Sequence, residues 1–576
     1  MKYLKHDLQK YKLASLMAPL FKMLEATFDL MVPLVVARMI NVGINQKDTG
    51  YILACCLLLI LMALIGLACS FTAQYFAAKA AIGSTTGLRH RLFKHIQSLD
   101  FASMDTIGTS TLITRMTSDL NQVQNGLNLF LRLFLRSPFI VFGSMVMAFT
   151  IDAKLALIFV IVIPLLSVVI FGIMAITSPR YRKIQGHLDR VTGLTRENLT
   201  GVRVIRAFGR EEEELAAFSQ ANDVLVRSQL KVGHLSSLMN PVTYVIINIG
   251  IVAILYAGAG QVHAGVLLSG QIVALVNYMN QILVELVKLA NLIVTISRAL
   301  ASLGRVEQIL DTQPEMHYPE KMPVLSCPEE AVRFEHVSLS YAKASLASLS
   351  DISFEAKVGQ TIGIIGGTGS GKSSLVHLIG RFYDASAGHV YLNGADITQW
   401  PREQLRKHVA IVMQKPQLFA GTIRSNLLWG NPDASEAQLW DALHLAQAAD
   451  FVQAKTDGLD EVVEQGGRNL SGGQKQRLTI ARALVAKPDI LILDDSASAL
   501  DYATDAALRQ ALASLTGKMT VFIVSQRTSS IAKADHILVL DDGHLVDQGT
   551  HQQLLKRCSV YQEIYASQFQ KGEDHT

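Results

Sequence analysis

The stretch Thr361–Phe382, TIGIIGGTGSGKSSLVHLIGRF, decides the fold of the C-terminal half of the chain. The apolar run TIGII reads as a buried strand, a glycine-rich turn follows, and SLVHLIGRF has helical periodicity. Gly366, Gly367, Thr368, Gly369, Ser370, Gly371, Lys372 and Ser373 fit G-x-x-x-x-G-K-[ST] in the strand–loop–helix setting that this motif needs. Glycines let successive backbone N–H groups curl around phosphates at a helix start, and Lys372 adds positive charge. The Ser373 hydroxyl can ligate Mg²⁺, and Ser374 is expected to complete the nucleotide-contacting set. Further along, Ile490-Leu491-Ile492-Leu493-Asp494 is a short buried-strand pattern ending in a carboxylate, suited to hold the Mg²⁺ shell through water. ATP and Mg²⁺ are therefore the expected cofactors, in an α/β P-loop domain.

The N-terminal half has a different composition. Of the 576 residues, 50% are hydrophobic and only 17% charged, and the mean hydropathy is +0.29. A soluble protein of this length is excluded unless the apolar residues segregate, and they do, from about Lys12 to Arg305. Crossing ~30 Å of hydrocarbon takes ~20 mostly apolar helical residues. Six segments qualify, at 13–38, 51–75, 128–151, 154–178, 240–262 and 270–294, of which the first, third and sixth contain charges. The fold class expected is an all-α polytopic membrane domain of six long helices followed by an α/β P-loop ATPase domain. Its boundaries are expected at 1–304 for the membrane domain, 305–330 for a linker, 331–570 for the nucleotide-binding domain and 571–576 for a polar tail. No cleavable signal is read at the N-terminus, so the first apolar stretch is expected to stay as a membrane helix.

Basic residues sort by position. Arg89, Arg91, Lys94 and Arg115 follow the second span; Arg180, Arg182, Lys183, Arg190, Arg196, Arg203, Arg206 and Arg210 follow the fourth. The opposite loops hold only Lys47 and Lys154, so both termini and both long connections are expected in the cytoplasm. These connections, ~50 and ~60 residues long, keep helical periodicity and are expected to extend the membrane helices. Breaks at Asp100–Thr109 and around Phe208–Arg210 are expected to form small transverse helices. A net charge of +4 makes no case for nucleic acid, and none is expected as a partner. The five cysteines show no metal or disulfide spacing.

Between the two nucleotide motifs stands Leu470-Ser471-Gly472-Gly473-Gln474-Lys475-Gln476-Arg477, which matches the signature of ABC ATPases. With the six-helix half and the order of motifs, nearly the whole chain resembles an ABC exporter half-transporter, in particular the degenerate-site subunit of bacterial heterodimeric multidrug exporters. The resemblance implies that Tyr341 stacks on adenine and that Gln414 senses Mg²⁺ and the γ-phosphate. Ser498-Ala499-Leu500-Asp501 resembles the D-loop, and Glu464-Gln465-Gly466-Gly467 occupies the place of the exporter loop that touches the partner's cytoplasmic helices. Two positions depart from the family. Active members carry glutamate after the Walker B aspartate, where this chain has Asp495, and a switch histidine where it has Gln526. Aspartate is one methylene short of a water placed for in-line attack, and glutamine carries no positive charge. In this family composite sites pair the Walker motifs of one subunit with the signature of the other. The resemblance thus implies a second half-transporter as partner, to whose catalytic site Ser471, Gly472, Gly473 and Gln474 contribute.

In the sixth span Asn277, Gln281, Glu285 and Lys288 recur along one helical face, and Glu25 and Asp29 form a second stripe on the first. Polar residues at membrane depth face a neighbouring helix or a water-filled cavity. Asn277, Gln281 and Glu285 are thus candidates for the substrate pathway, with interhelical hydrogen bonding or an internal Glu285–Lys288 pair as the alternative. The function expected is ATP-driven export of hydrophobic or amphipathic small molecules, drug-like compounds or membrane lipids, across a bacterial plasma membrane; the alternatives are import, for instance of a metal chelate, and an ATP-gated channel or regulatory subunit.

Overall fold

The computed structural model describes residues 2–569 apart from 326, 328, 342–345, 497, 516 and 518; the tail read at 571–576 lies outside them. The chain divides into two compact units, one formed by Met1–Gln97 with Ser110–Thr312 and the other by Ser98–Thr109 with Gln313–Thr576.

The first unit is helical. Lys12–Arg38, Thr49–Ser98, Leu120–Leu133, Arg136–Ile151, Ala153–Thr200, Met239–His263 and Ser269–Asp311 are its long apolar helices, and Glu211–Ser237 is a polar one. Among the described residues five stretches are long and apolar enough to cross a membrane: Lys2–Ile44, Thr49–Ser98, Thr109–Ile151, Ala153–Thr200 and Glu211–His263. The sixth expected span is a helix too, Ser269–Asp311, and it carries the polar stripe. It affords that stripe because it lies inside the bundle, with Tyr278, Met279, Ile282, Glu285 and Leu286 buried. The third span breaks at Phe134–Leu135, just before Arg136. Ser269–Asp311 also runs through residues assigned to the linker, since Val306, Ile309 and Leu310 are buried and Arg305 pairs with Asp119.

Helix starts follow capping chemistry. Asp152 accepts from the Leu155 N–H at 2.7 Å at the head of Ala153–Thr200, and Glu211–Glu214 put four carboxylates on the positive end of Glu211–Ser237. The break near Phe208–Arg210 is a helix, Val202–Phe208, closed by Gly209 at φ 63°. Elsewhere small residues permit close approach, as expected where helices associate by packing rather than by water exclusion. A Cβ on Gly126 would lie 2.2 Å from that of Ala299.

Among the described residues the second unit holds two large sheets and a two-stranded pairing of Gly421–Thr422 with Val462–Val463. One has the strand order His544–Gly549, His536–Asp541, Thr361–Gly366, Thr520–Val524, Ile490–Asp494, Val409–Val412, parallel except for its first pair. Ile490–Asp494 and Thr520–Val524 are buried at every residue, which is why they read as continuous apolar runs. The other sheet is antiparallel, built on Leu349–Lys357, Glu330–Leu339 and Ala387–Leu392. Apolar cores fill both faces of the parallel sheet.

Gly126→Val should lower stability by about 1–3 kcal/mol through overpacking against Ala299. Melting in detergent should show this, while Gly172→Ala, with nothing within 4 Å of its added Cβ, should not shift the transition downward.

Candidate functional site

Parallel strands of the main sheet end together, and the loops leaving them line one cavity of about 390 Å³. Thr368, Gly369, Ser370, Gly371, Lys372, Ser373 and Ser374 from the glycine loop meet Gln414, Asp494, Asp495 and Gln526 there. The loop cannot carry side chains at its ends: a Cβ on Gly366 would sit 2.1 Å from the Leu540 carbonyl oxygen, and Gly371 has φ 92°. Helix Lys372–Ile379 begins directly after it, so its first N–H groups are free for an anion.

Lys372 Nζ donates to the carbonyls of Gly366, at 2.9 Å, and Gly367, and to Ser370 Oγ at 3.2 Å, which curls the ammonium into the loop. Burial pulls its pKa below lysine's ordinary value, while Asp495 and Asp494 oppose the shift. Ser373 Oγ donates to Asp494 Oδ1 at 3.0 Å. Burial raises the Asp494 pKa above the usual carboxylate value, against the lowering effect of the Ser373 hydrogen bond. Gln414 Nε2 donates to Asp495 Oδ2 at 3.1 Å. Hydroxyl, carboxylate and amide oxygens at one end of the cavity form the hard donor set that Mg²⁺ takes. Ser373, Asp494 and Gln414 would hold that ion, directly or through water, beside the phosphates.

Tyr341 stands at the edge of this constellation. Its hydroxyl donates to Ser374 Oγ at 3.0 Å, and its ring meets Tyr383 edge-on with centroids 4.9 Å apart. Tyr383 in turn donates to Asp105 Oδ2 at 2.5 Å, on the short helix Phe101–Ile107, where Phe101 stacks on Phe382. Asp100 caps that helix through Ser103 N and also accepts from Glu315 N at 2.6 Å. Burial pushes its pKa up, but these hydrogen bonds outweigh it and leave the carboxyl below the usual range. The break read at Asp100–Thr109 is therefore a helix within the nucleotide-binding unit.

The structure does not bring Ser471, Gly472, Gly473, Gln474 or Asp501 into the cavity. Ser471 caps helix Gly472–Val485, its Oγ accepting from Gln474 N at 3.3 Å and its N–H donating to Gln474 Oε1 at 3.0 Å. Ser471 and Gly472 are exposed, and nothing lies within 4 Å of a Cβ on Gly472. Asp501 caps Tyr502–Ala513, its pKa lowered by hydrogen bonds from Thr504.

Sequence reasoning missed several participants. Asp542 and Gly543 line the cavity from a turn between strands, which their Asp-Gly dipeptide signals. Gln568, on Ser559–Phe569, has no local signal. Its Oε1 accepts from Thr528 N and Oγ1, both at 2.9 Å, and its Nε2 donates to the Gln526 carbonyl at 2.7 Å.

Fold and cavity together define a membrane-bound P-loop ATPase. Residues 15–286 match the ABC transporter transmembrane region and residues 349–498 the ABC transporter domain. The uncharacterized ABC transporter ATP-binding protein YfiB of Bacillus subtilis (strain 168) is 35% identical over 562 residues, covering 98% of this chain and 97% of that protein. The ATP-dependent lipid A-core flippase of Salmonella typhimurium (strain LT2) is 30% identical, covering 97% and 96%. A bacterial Atm1-family ABC exporter with ATP bound shares the fold at a TM-score of 0.78, with 24% identity and 98% of both chains covered. The chain belongs to the ABC transporters: it is a half-transporter, a membrane domain fused to an ABC ATPase, which uses ATP with Mg²⁺ as a translocase.

Removing the Gln568 amide leaves the buried Thr528 N–H and hydroxyl without their partner, at a cost of about 1–3 kcal/mol. Gln568→Ala should accelerate amide exchange at residues 525–531 in hydrogen-exchange mass spectrometry, with the strand Ile490–Asp494 unchanged.

Proposed function

We propose that this half-transporter exports amphipathic small molecules, drug-like compounds or lipids, as one subunit of a heterodimer in a bacterial plasma membrane. Its own Walker site serves mainly to bind ATP, and its signature completes the competent site of the second half-transporter. Tyr341 carries the adenine, the loop from Gly366 to Ser374 cradles the phosphates, and Ser373, Asp494 and Gln414 order Mg²⁺. The observation that carries the reading is the pair Asp495 and Gln526 in one cavity with the Walker residues, while Ser471 and Gly472 face outward at the head of a helix. Neither member of that pair supplies what hydrolysis asks of its position: Asp495 is short, and Gln526 is neutral. The signature N–H groups and the Ser471 hydroxyl retain fixed positive potential for a γ-phosphate brought by another chain.

Export is supported by the relative from Salmonella typhimurium, whose name is ATP-dependent lipid A-core flippase. The membrane-depth cavity beside Asn277, Gln281 and Glu285 supports a substrate path there. The basic residues of the two long connections support a cytoplasmic ATPase unit and cytoplasmic termini, as does the presence of Phe101–Ile107 in the nucleotide-binding unit. Transport in inverted vesicles tests direction: ATP-driven uptake into them is export, ATP-driven efflux is import, and ATP-gated conductance without accumulation is a channel.

On this reading Ser471→Ala and Gly472→Gln lower steady-state ATPase of the assembled transporter by about 10²-fold, the scale of one lost transition-state donor. Lys372→Ala costs less than about tenfold, because it weakens a binding site. Wild-type turnover in the signature variants with abolished turnover in Lys372→Ala would reverse the assignment. In the same assay Asp495→Glu with Gln526→His should leave turnover within about threefold of wild type if the signature facing this site is also altered; a gain of an order of magnitude would identify these two residues as the whole defect.

A further inference from the structure

The membrane-depth cavity has a charge pattern that narrows the ligand. Its volume is about 540 Å³, within the ~300–1,000 Å³ usual for small-molecule sites. Arg136, at the head of its helix, donates to Glu285 Oε1 at 2.7 Å through Nη1 and to Asp29 Oδ2 at 2.9 Å through Nη2. Lys288 Nζ also donates to Glu285 Oε1, at 2.9 Å, and Ser137 Oγ donates to Glu285 Oε2 at 2.8 Å. Both Glu285 oxygens are thus engaged, and its side chain is 5% exposed, so it holds two cations in place rather than meeting a ligand.

The ends of the network are different. Asp29 and Lys288 side chains are 43% and 45% exposed, and both line the cavity. Asp29 has one oxygen on Arg136 and one left over, while Lys288 has spent one of three N–H groups. The charged residues lining the cavity, Asp29, Arg136, Glu285 and Lys288, sum to zero. A net charge brought into this low-dielectric space would lack a counter-charge, whereas a ligand bearing both signs preserves the balance. Gln281 adds a buried Oε1 and Arg136 a buried Nε without hydrogen-bond partners, an acceptor and a donor beside the two charges. Val32, Val36 and Ile140 supply apolar wall for a tail.

We propose that this cavity binds the head of a zwitterionic amphiphile, with Asp29 taking its ammonium and Lys288 its phosphate or carboxylate. The inference rests on the reading that this cavity lies on the substrate path. The test is binding to the assembled transporter in nanodiscs, with three fluorescent probes of one tail: phosphocholine, phosphoglycerol and trimethylammonium headed. The phosphocholine probe should bind at least ~10-fold tighter than either other. Asp29→Asn should move the preference toward the phosphoglycerol probe and Lys288→Gln toward the trimethylammonium probe. Tightest wild-type binding of a singly charged probe overturns the zwitterion assignment, and this arm needs no variant to fold. An unchanged ranking in both folded variants overturns the roles of Asp29 and Lys288. If none of the three probes binds, the substrate-path reading beneath falls as well. Displacement by glycerophosphocholine supports recognition of the head alone, from a soluble compound or a lipid; failure to displace supports a lipid held by head and tail together.

Discussion

Parallel hydrogen bonding of Thr520–Val524 to both Thr361–Gly366 and Ile490–Asp494 is the interaction on which the nucleotide site depends. Val524 lies level with Ile364 on one side and Asp494 on the other. The ladder then continues into the loops: Ser525 N donates to the Ile364 carbonyl at 3.0 Å and Asp495 N to the Val524 carbonyl at 3.1 Å. One register therefore sets the separation of Lys372, Asp494, Asp495 and Gln526, which come from three loops far apart in sequence. A slip of one residue would turn each strand's side chains to the opposite face and move the carboxylates off the glycine loop.

The membrane half is ordered by a different constraint. Lipid cannot solvate charge, so each ionisable side chain within the bundle must find its complement there. Lys22 donates to Glu25 Oε2 at 2.6 Å and to Ser70 Oγ at 3.1 Å, and Arg136 joins Asp29 to Glu285. Ser70 brings in the second expected span, and Arg136 ties the first, third and sixth together. They are the three whose charges weakened their hydropathy. The residues that made those spans hard to read are the ones that hold them against one another.

Legibility followed the range of the interaction. The glycine loop, the strand ending at Asp494 and the apolar spans are local patterns, and each stands where its periodicity or motif put it. The Glu285–Lys288 pair was legible as a spacing of three on a helix. Arg136 was not: it reads as a charge inside the third expected span, and its partners are 107 and 149 residues away. Tyr383 with Asp105, 278 apart, and Gln568 with Gln526, 42 apart, are similar cases. A hydrogen bond closed by tertiary structure leaves no period in the chain, so a single sequence offers nothing from which to infer it. The helix Phe101–Ile107 was legible as a break expected to form a small transverse helix, but its stacking on Phe382 needed the fold.

The backbone around Asp495 sharpens the meaning of its missing methylene. It sits at φ 45°, a left-handed conformation that aspartate tolerates better than most side chains. Its N–H is fixed on Val524, and its carbonyl accepts from Ser498 N and, at 2.8 Å, from Ser498 Oγ. The backbone therefore cannot advance to make up for a shorter side chain, and the carboxylate stays about an ångström back, a displacement large enough to slow a positioned proton transfer. Gln526 is constrained in a parallel way. Its carbonyl is held by Gln568, so its loop is placed by hydrogen bonds that need no charge on the side chain. Geometry at both positions is kept while the side chains carry less basic reach and no positive charge, which supports the proposed reading of this site as one that mainly binds ATP.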